Sequence, residues 1–239
     1  MATSSRLSQD PELRIDELDS LRATALVMML VSNFVTDLNH FEIMDVERGD
    51  QWWWLARITA SLFVGISGIS YFLAHRLEYD FAKTFDRTKR LIFWAFAITI
   101  ITYIFEPSAY VRFGVLHLLA LASIVAFPVA RKPEFALGIG LILLVIPLSS
   151  NSNLVWLGLR ETGFFAVDYF PLKPWLGVFF ISLALASRLY PEGKPLTGIR
   201  WPEKWLWFGR NTLIIYVIHQ PILIGLLILS GQVSLESII

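Results

Sequence analysis

An all-α, polytopic membrane bundle of about seven spanning helices is the fold the sequence predicts, and three observations predict it. Of 239 residues, 55% are hydrophobic and only 17% are charged, which is more apolar surface than a soluble domain of this size can bury. Seven apolar runs approach the roughly 17 to 25 residues that cross about 30 Å of hydrocarbon. Assigned to the nearer ends of these runs, 15 of the 20 Lys and Arg residues fall on one side and 5 on the other. The positive-inside rule then places the N-terminus in the cytoplasm and, after seven spans, the C-terminus outside.

The first run, residues 21–39, follows a stretch that mixes Arg6 and Arg14 with acidic residues and lacks a small-residue cleavage pattern. It reads as a retained span, not a signal peptide. The second run, 52–75, opens on Trp52, Trp53 and Trp54, anchors suited to the outer interface. Within it, Ser61, Gly65 and Gly68 form a small-residue stripe that invites close approach by another helix. Runs three (91–105) and five (135–149) are short, and Pro147 interrupts the fifth. Runs four (113–130) and six (170–187) need no special pleading. The seventh, 206–229, is flanked at its inner start by Trp201, Trp205 and Trp207, and Pro221 within it frees the carbonyl of Val217. No internal repeat is visible. The expected organisation is a short polar tail (1–16), one transmembrane domain (17–232) and a C-terminal tail (233–239).

Composition also excludes chemistry. The chain has no cysteine and a formal net charge of zero, which removes disulfides, thiolate catalysis and Cys-ligated metals, and offers no electrostatic footprint for nucleic acid. No metal is expected.

Against this apolar background, some side chains do not belong in lipid. Asn33, Asp37 and His40 recur at i, i+4 and i+7, one face of the first helix. A rise of about 1.5 Å per residue puts Asn33 roughly 18 Å, Asp37 about 24 Å and His40 about 28 Å from the inner boundary. The same ruler puts Arg57 and His117 near 22 Å and His219 near 20 Å. Four helices thus carry polar groups to one level, where exposure to hydrocarbon costs several kcal/mol and a shared cavity is the natural resolution. Gln220 adjoins this shelf, and Glu106, Arg112, Asp168 and Lys173 lie above it. A plainer reading pairs Asp37 with Arg57 and leaves each histidine bonded to a backbone carbonyl. At the inner end, Asp19 and Arg22 stand at i, i+3, with Arg76, Arg210 and Asn211 at similar depth. For Arg76 interfacial anchoring suffices, whereas the guanidinium forks of Arg22 and Arg210 suit phosphate.

Five segments in order, "ELDSLRATALVMMLVSNFVTDLNHF", "ARITASLFVGISGISYFLAHR", "RFGVLHLLALASI", "DYFPLKPWLGVFF" and "FGRNTLIIYVIHQPIL", resemble the catalytic-domain family of heparan-alpha-glucosaminide N-acetyltransferase. The likeness is to its short prokaryotic members, within a wider group of membrane-embedded acyltransferases. The resemblance implies an enzyme of the cell membrane that takes an acyl group, typically acetyl from cytosolic acetyl-CoA, and passes it to an amine or hydroxyl on the far side. It implies a base or nucleophile among His40, His117 and His219, with Asp37 in the same set and Asn33 or Arg57 stabilising the carbonyl oxygen. It further implies acceptor contacts from Arg57, Arg112, Asp168, Lys173 and Gln220, and donor contacts from Arg22, Arg210 and Asn211. Many short relatives carry His where this chain has Asn33, and larger members carry Asn near this place with their catalytic His later, a part His40 is placed to take. Ala23 stands where the family usually has Gly. The expected partners are the lipid bilayer, a small-molecule or glycan acceptor and a second copy in a homodimer. A transporter or channel with a polar path, and a non-catalytic scaffold or sensor, are the competing classes.

Overall fold

The computed structural model describes residues 14–146, 154–159, 164, 166 and 168–233. These form eight α-helices and no strand: α1 Asp16–His40, α2 Gln51–Leu77, α3 Phe81–Phe105, α4 Val115–Ala126, α5 Pro133–Val145, α6 Leu172–Leu189, α7 Glu203–Arg210 and α8 Thr212–Leu229. By length and apolar composition, α1, α2, α3, α6 and α8 suffice to cross a membrane, while α4 with its 3-10 extension and α5 are shorter. The protein is an all-helical membrane bundle.

Two elements differ from the sequence expectation. The third run is not short: α3 begins ten residues earlier, at Phe81. Its polar first turns escape a hydropathy criterion, yet Asp80 caps them by accepting a hydrogen bond from Ala82 N at 2.8 Å. The seventh run is two helices, α7 and α8, broken at Asn211, whose side-chain amide donates to the Trp207 carbonyl at 2.8 Å. Pro221 is carried inside α8. The short fifth run is α5, and Pro147 lies outside the described residues, as do most of both expected tails.

The core lies where α2, α4 and α6 converge, with Val64, Tyr71, Leu118, Phe179, Phe180 and Leu183 almost wholly buried. The small-residue stripe of α2 faces α6. A Cβ on Gly68 would lie 2.4 Å from the Phe179 carbonyl oxygen, and one on Gly65 3.2 Å from Ser182 Oγ. Backbone-to-backbone approach of this kind supplies the packing that lipid does not otherwise drive. Tyr71 adds a polar tie, its hydroxyl donating to the Ser123 carbonyl of α4 at 2.6 Å.

On the other side of α2, α1 packs against α7 and α8 as well. Glu17 accepts from the Leu196 and Thr197 amides at 2.8 and 2.9 Å, tying the segment before α7 to the first turn of α1. Trp205 donates from Nε1 to Ser20 Oγ at 3.0 Å, so this residue is a helix-to-helix contact and not simply an interfacial anchor. Arg131 closes the C-terminus of α2, donating to the carbonyls of His75, Arg76 and Leu77. Arg76 itself donates to the Pro191 carbonyl at 3.0 Å.

Candidate functional site

The first and last long helices meet at one polar point. Asn33 Nδ2 is 2.6 Å from His219 Nε2, and His219 Nδ1 is 2.5 Å from the carbonyl oxygen of Tyr216, three residues back on α8. A carbonyl only accepts, so Nδ1 carries the ring proton and Nε2 keeps a lone pair, which takes the Asn33 N–H. Beside this pair, Gln220 donates from Nε2 to Asp37 Oδ1 at 2.6 Å. The i, i+4 spacing of Asn33 and Asp37 on α1 meets consecutive residues on α8. His219 is 7% and Asp37 6% exposed, and Asp37 Oδ2 is buried with no hydrogen-bond partner among the described residues.

A second polar group adjoins the first through Tyr216. Its hydroxyl donates to Asp168 Oδ2 at 2.7 Å, and the same oxygen accepts from Val115 N at 3.1 Å, the first residue of α4. Asp168 is placed there by its neighbours: Tyr169 bridges Phe113, and Phe170 N donates to the Phe113 carbonyl at 2.8 Å. Burial pushes the Asp168 carboxyl up, and the bonds from Tyr216 and Val115 recover only part of that shift. Gly114 makes the approach possible, since a Cβ there would lie 2.1 Å from Asp168 Oδ2.

His117 closes this end of α4. Gly114 N donates to its Nδ1 at 3.2 Å, which leaves the proton on Nε2, facing Thr99 Oγ1 at 3.4 Å, and Thr99 in turn donates to the Val111 carbonyl at 2.8 Å. Gly114, His117, Asp168 and Tyr216 line a small recess with Ile98 and Val111. The expected shelf is therefore a relay of contacts, His219 to Tyr216 to Asp168 to the start of α4, in which His117 does not touch His219 directly.

Other expected members stand apart from this relay. His40 is the last residue of α1, exposed, 4.0 Å from Glu106 Oε2 and edge-on to Phe41. Arg57 is not paired with Asp37: its guanidinium lies 4.7 Å over the Trp53 ring, because one face of α2 carries both, and Gln220 takes the carboxylate instead. Arg112 lies over Tyr110 and Phe164 at 5.0 and 5.1 Å. Lys173 is half-buried at the start of α6.

At the end of the bundle where α1 begins, the buried Asp19 pairs with Arg14, Arg22 and Arg210. Arg22 also donates to Ser70 Oγ on α2. Arg210 meets Asp16 and Glu203 besides, and Asn211 is spent on the α7–α8 break. A Cβ on Gly209 would lie 1.8 Å from the Asp19 carbonyl oxygen. The two motifs "DSLR" and "FGRN" are thus one packed unit, in which Arg210 already faces three carboxylates. Among the described residues no group of three or more His, Cys, Asp or Glu side chains is arranged to hold a metal.

Sequence reasoning missed Tyr216, which joins His219 to Asp168. Its signal was available in "YVIH", since i and i+3 share a helix face.

The five membrane-length helices, with a buried imidazole oriented by an amide and a carbonyl, define a helical membrane protein with a polar site built between α1 and α8. The chain belongs to the heparan-alpha-glucosaminide N-acetyltransferase catalytic family, whose model matches residues 14–221, a family of membrane acetyltransferases. Comparison with curated proteins and with solved structures gives no match.

Proposed function

We propose that the protein is a multi-pass enzyme of the cell membrane that moves an acetyl group from cytosolic acetyl-CoA to an amine or hydroxyl of a glycan or small acceptor on the outer side. The observation that carries the reading is the neutral, oriented imidazole of His219, held by Asn33 at 2.6 Å and by the Tyr216 carbonyl at 2.5 Å. Such a ring is prepared to act as a base near neutral pH.

In this reading an entering acceptor N–H or O–H replaces the Asn33 N–H at Nε2. The freed Asn33 amide then donates to the thioester carbonyl oxygen, where negative charge develops. The acceptor nitrogen or oxygen bonds to the acyl carbon, its proton passes to His219 Nε2, and the carbon–sulfur bond breaks. The same proton then leaves with the thiolate. Imidazolium formed in between is stabilised at Nδ1 by the Tyr216 carbonyl. Asp37 Oδ2, buried and unpartnered, supplies an acceptor for a second donor group on the substrate. Tyr216, tied to Asp168, stands beside the His219 ring. Arg22 lies at the end where the donor's phosphates enter.

Purified protein is tested with acetyl-CoA and with acetate, reading both melting temperature and acetyl transfer to a panel of amino sugars. Acetyl-CoA, and not acetate, raises the melting temperature, Arg22→Ala weakens that rise, and His219→Ala removes transfer while the protein stays folded. No stabilisation at millimolar acetyl-CoA rejects the proposal.

A further inference from the structure

The hydrogen bonding of the Asp37 carboxylate comes from a neutral amide. Gln220 donates to Oδ1 at 2.6 Å, while Oδ2 is buried with no hydrogen-bond partner among the described residues, in a side chain only 6% exposed. The Arg57 guanidinium is directed over the Trp53 ring, and the His40 ring lies 4.0 Å from Glu106. A buried carboxylate with one bare oxygen is costly, and a bound cation carrying N–H donors offsets that cost where a neutral donor leaves the charge standing.

The surroundings favour a cation as well. Asp37 is three residues from His40, the last residue of α1, so a ligand entering at that end meets it one turn before Asn33 and His219. The connection that follows, residues 41–50, holds Glu42, Asp45, Glu47 and Asp50 against the single base Arg48. Glu42, Asp45 and Glu47 are exposed, and Glu106 adds a further carboxylate beside His40. An acidic mouth of this kind raises the local concentration of cations. Within the site, Asn33 marks the His219 lone pair at 2.6 Å. Asp37, four residues further along α1, stands about 6 Å from it along the helix axis.

We infer that the acceptor is a small diamine with its nitrogens about 6 Å apart, one bound as an ammonium by Asp37 and the other, neutral, set against His219 Nε2. The inference rests on the acyl-transfer reading of the His219 site and narrows its acceptor. The extended chain of 1,4-diaminobutane meets the spacing, since five bonds of about 1.5 Å in a zigzag span about 6 Å. The neutral nitrogen bonds to the acyl carbon, the carbon–sulfur bond breaks, and the nitrogen's proton passes through Nε2 to the thiolate. The anchored ammonium is unchanged. Acetylation stops after one transfer, because an acetamide brings no charge to Asp37 when the other end is presented.

Thermal unfolding of the detergent-purified full chain is measured against 1,4-diaminobutane, butylamine and 4-aminobutan-1-ol without acetyl-CoA, and products are then read by mass with it. The diamine half-saturates at a concentration at least tenfold below either monoamine and is acetylated once. Asp37→Asn, which keeps an oxygen for Gln220, brings the diamine to the butylamine value. If that variant does not fold, the wild-type order of the three amines and the single acetylation carry the test. Equal responses to all three, no response to any, or a diamine preference that survives in Asp37→Asn overturns the inference. Transfer to the monoamines or to amino sugars without a diamine preference also overturns it and leaves the acyl-transfer reading standing. Asp37-dependent diamine binding with no transfer to any amine keeps the cation site and removes that reading.

Discussion

Asn33 and His219 are 186 positions apart in the chain and 2.6 Å apart in space, the amide donating to an imidazole nitrogen whose partner nitrogen is bound to a carbonyl. Asn33 is a side chain that cannot take a proton but can fix where another one goes.

Replacing Asn33 by Asp tests that division of labour. A carboxylate only accepts, so it holds a proton on Nε2 and leaves the ring without its lone pair. Acetyl transfer at neutral pH falls by about tenfold or more. Asn33→Ala, which removes the donor and adds no acceptor, loses less of the base and more of the carbonyl stabilisation, about 100-fold in kcat. Steady-state kinetics on both variants separate the two effects.

Asp37→Asn retains an oxygen for the Gln220 amide and converts the unpartnered buried oxygen into an N–H₂ group. If that oxygen anchors the acceptor, KM for the acceptor rises by about tenfold, an energy typical of a hydrogen bond to a charged group, while kcat changes little. A fall in kcat with unchanged KM would place Asp37 in the chemistry instead.

Gly114→Ala puts a methyl group 2.1 Å from Asp168 Oδ2. The carboxylate must retreat from Val115 N, uncapping α4 and loosening Tyr216, at a cost of about 2 to 3 kcal/mol. Thermal unfolding reads the loss. An unchanged melting temperature would mean that Asp168 is not held against α4.

Asp168 also gives a pH dependence. Burial raises its carboxyl above the usual value, so the fold prefers the protonated form. That contribution is complete below the unfolded-state value of about 3.9 and is lost as pH rises through the higher folded-state value. Asp168→Asn keeps an oxygen for Tyr216 and Val115 and removes the charge. It therefore melts no lower than wild type at pH 8, and the difference between them closes on acidification. Melting curves of both proteins across pH 4 to 8 check the sign.

Helices and their order were legible because hydropathy and five ordered motifs carry them. The first turns of α3 were not, since "FAKTFDRTKR" is polar by composition and helical by capping and propensity. The meeting of α1 and α8 was legible in part: Asn33 meets His219, and Asp37 meets the adjacent Gln220. Rotation about each helix axis was not. One residue turns the direction by about 100°, and that angle alone decides that Asp37 meets Gln220 while Arg57 turns to Trp53.

The site between Asn33 and His219 is assembled from α1 and α8, helices far apart along the chain. A nascent chain ending before Thr212 holds the amide, the carboxylate and Arg22, yet has no imidazole for Asn33 and no glutamine for Asp37. On the proposed reading, a chain truncated before Thr212 is inert, because α8 supplies both the imidazole and the glutamine. A separately expressed α8 segment, added back in the membrane, is the minimal piece able to restore it.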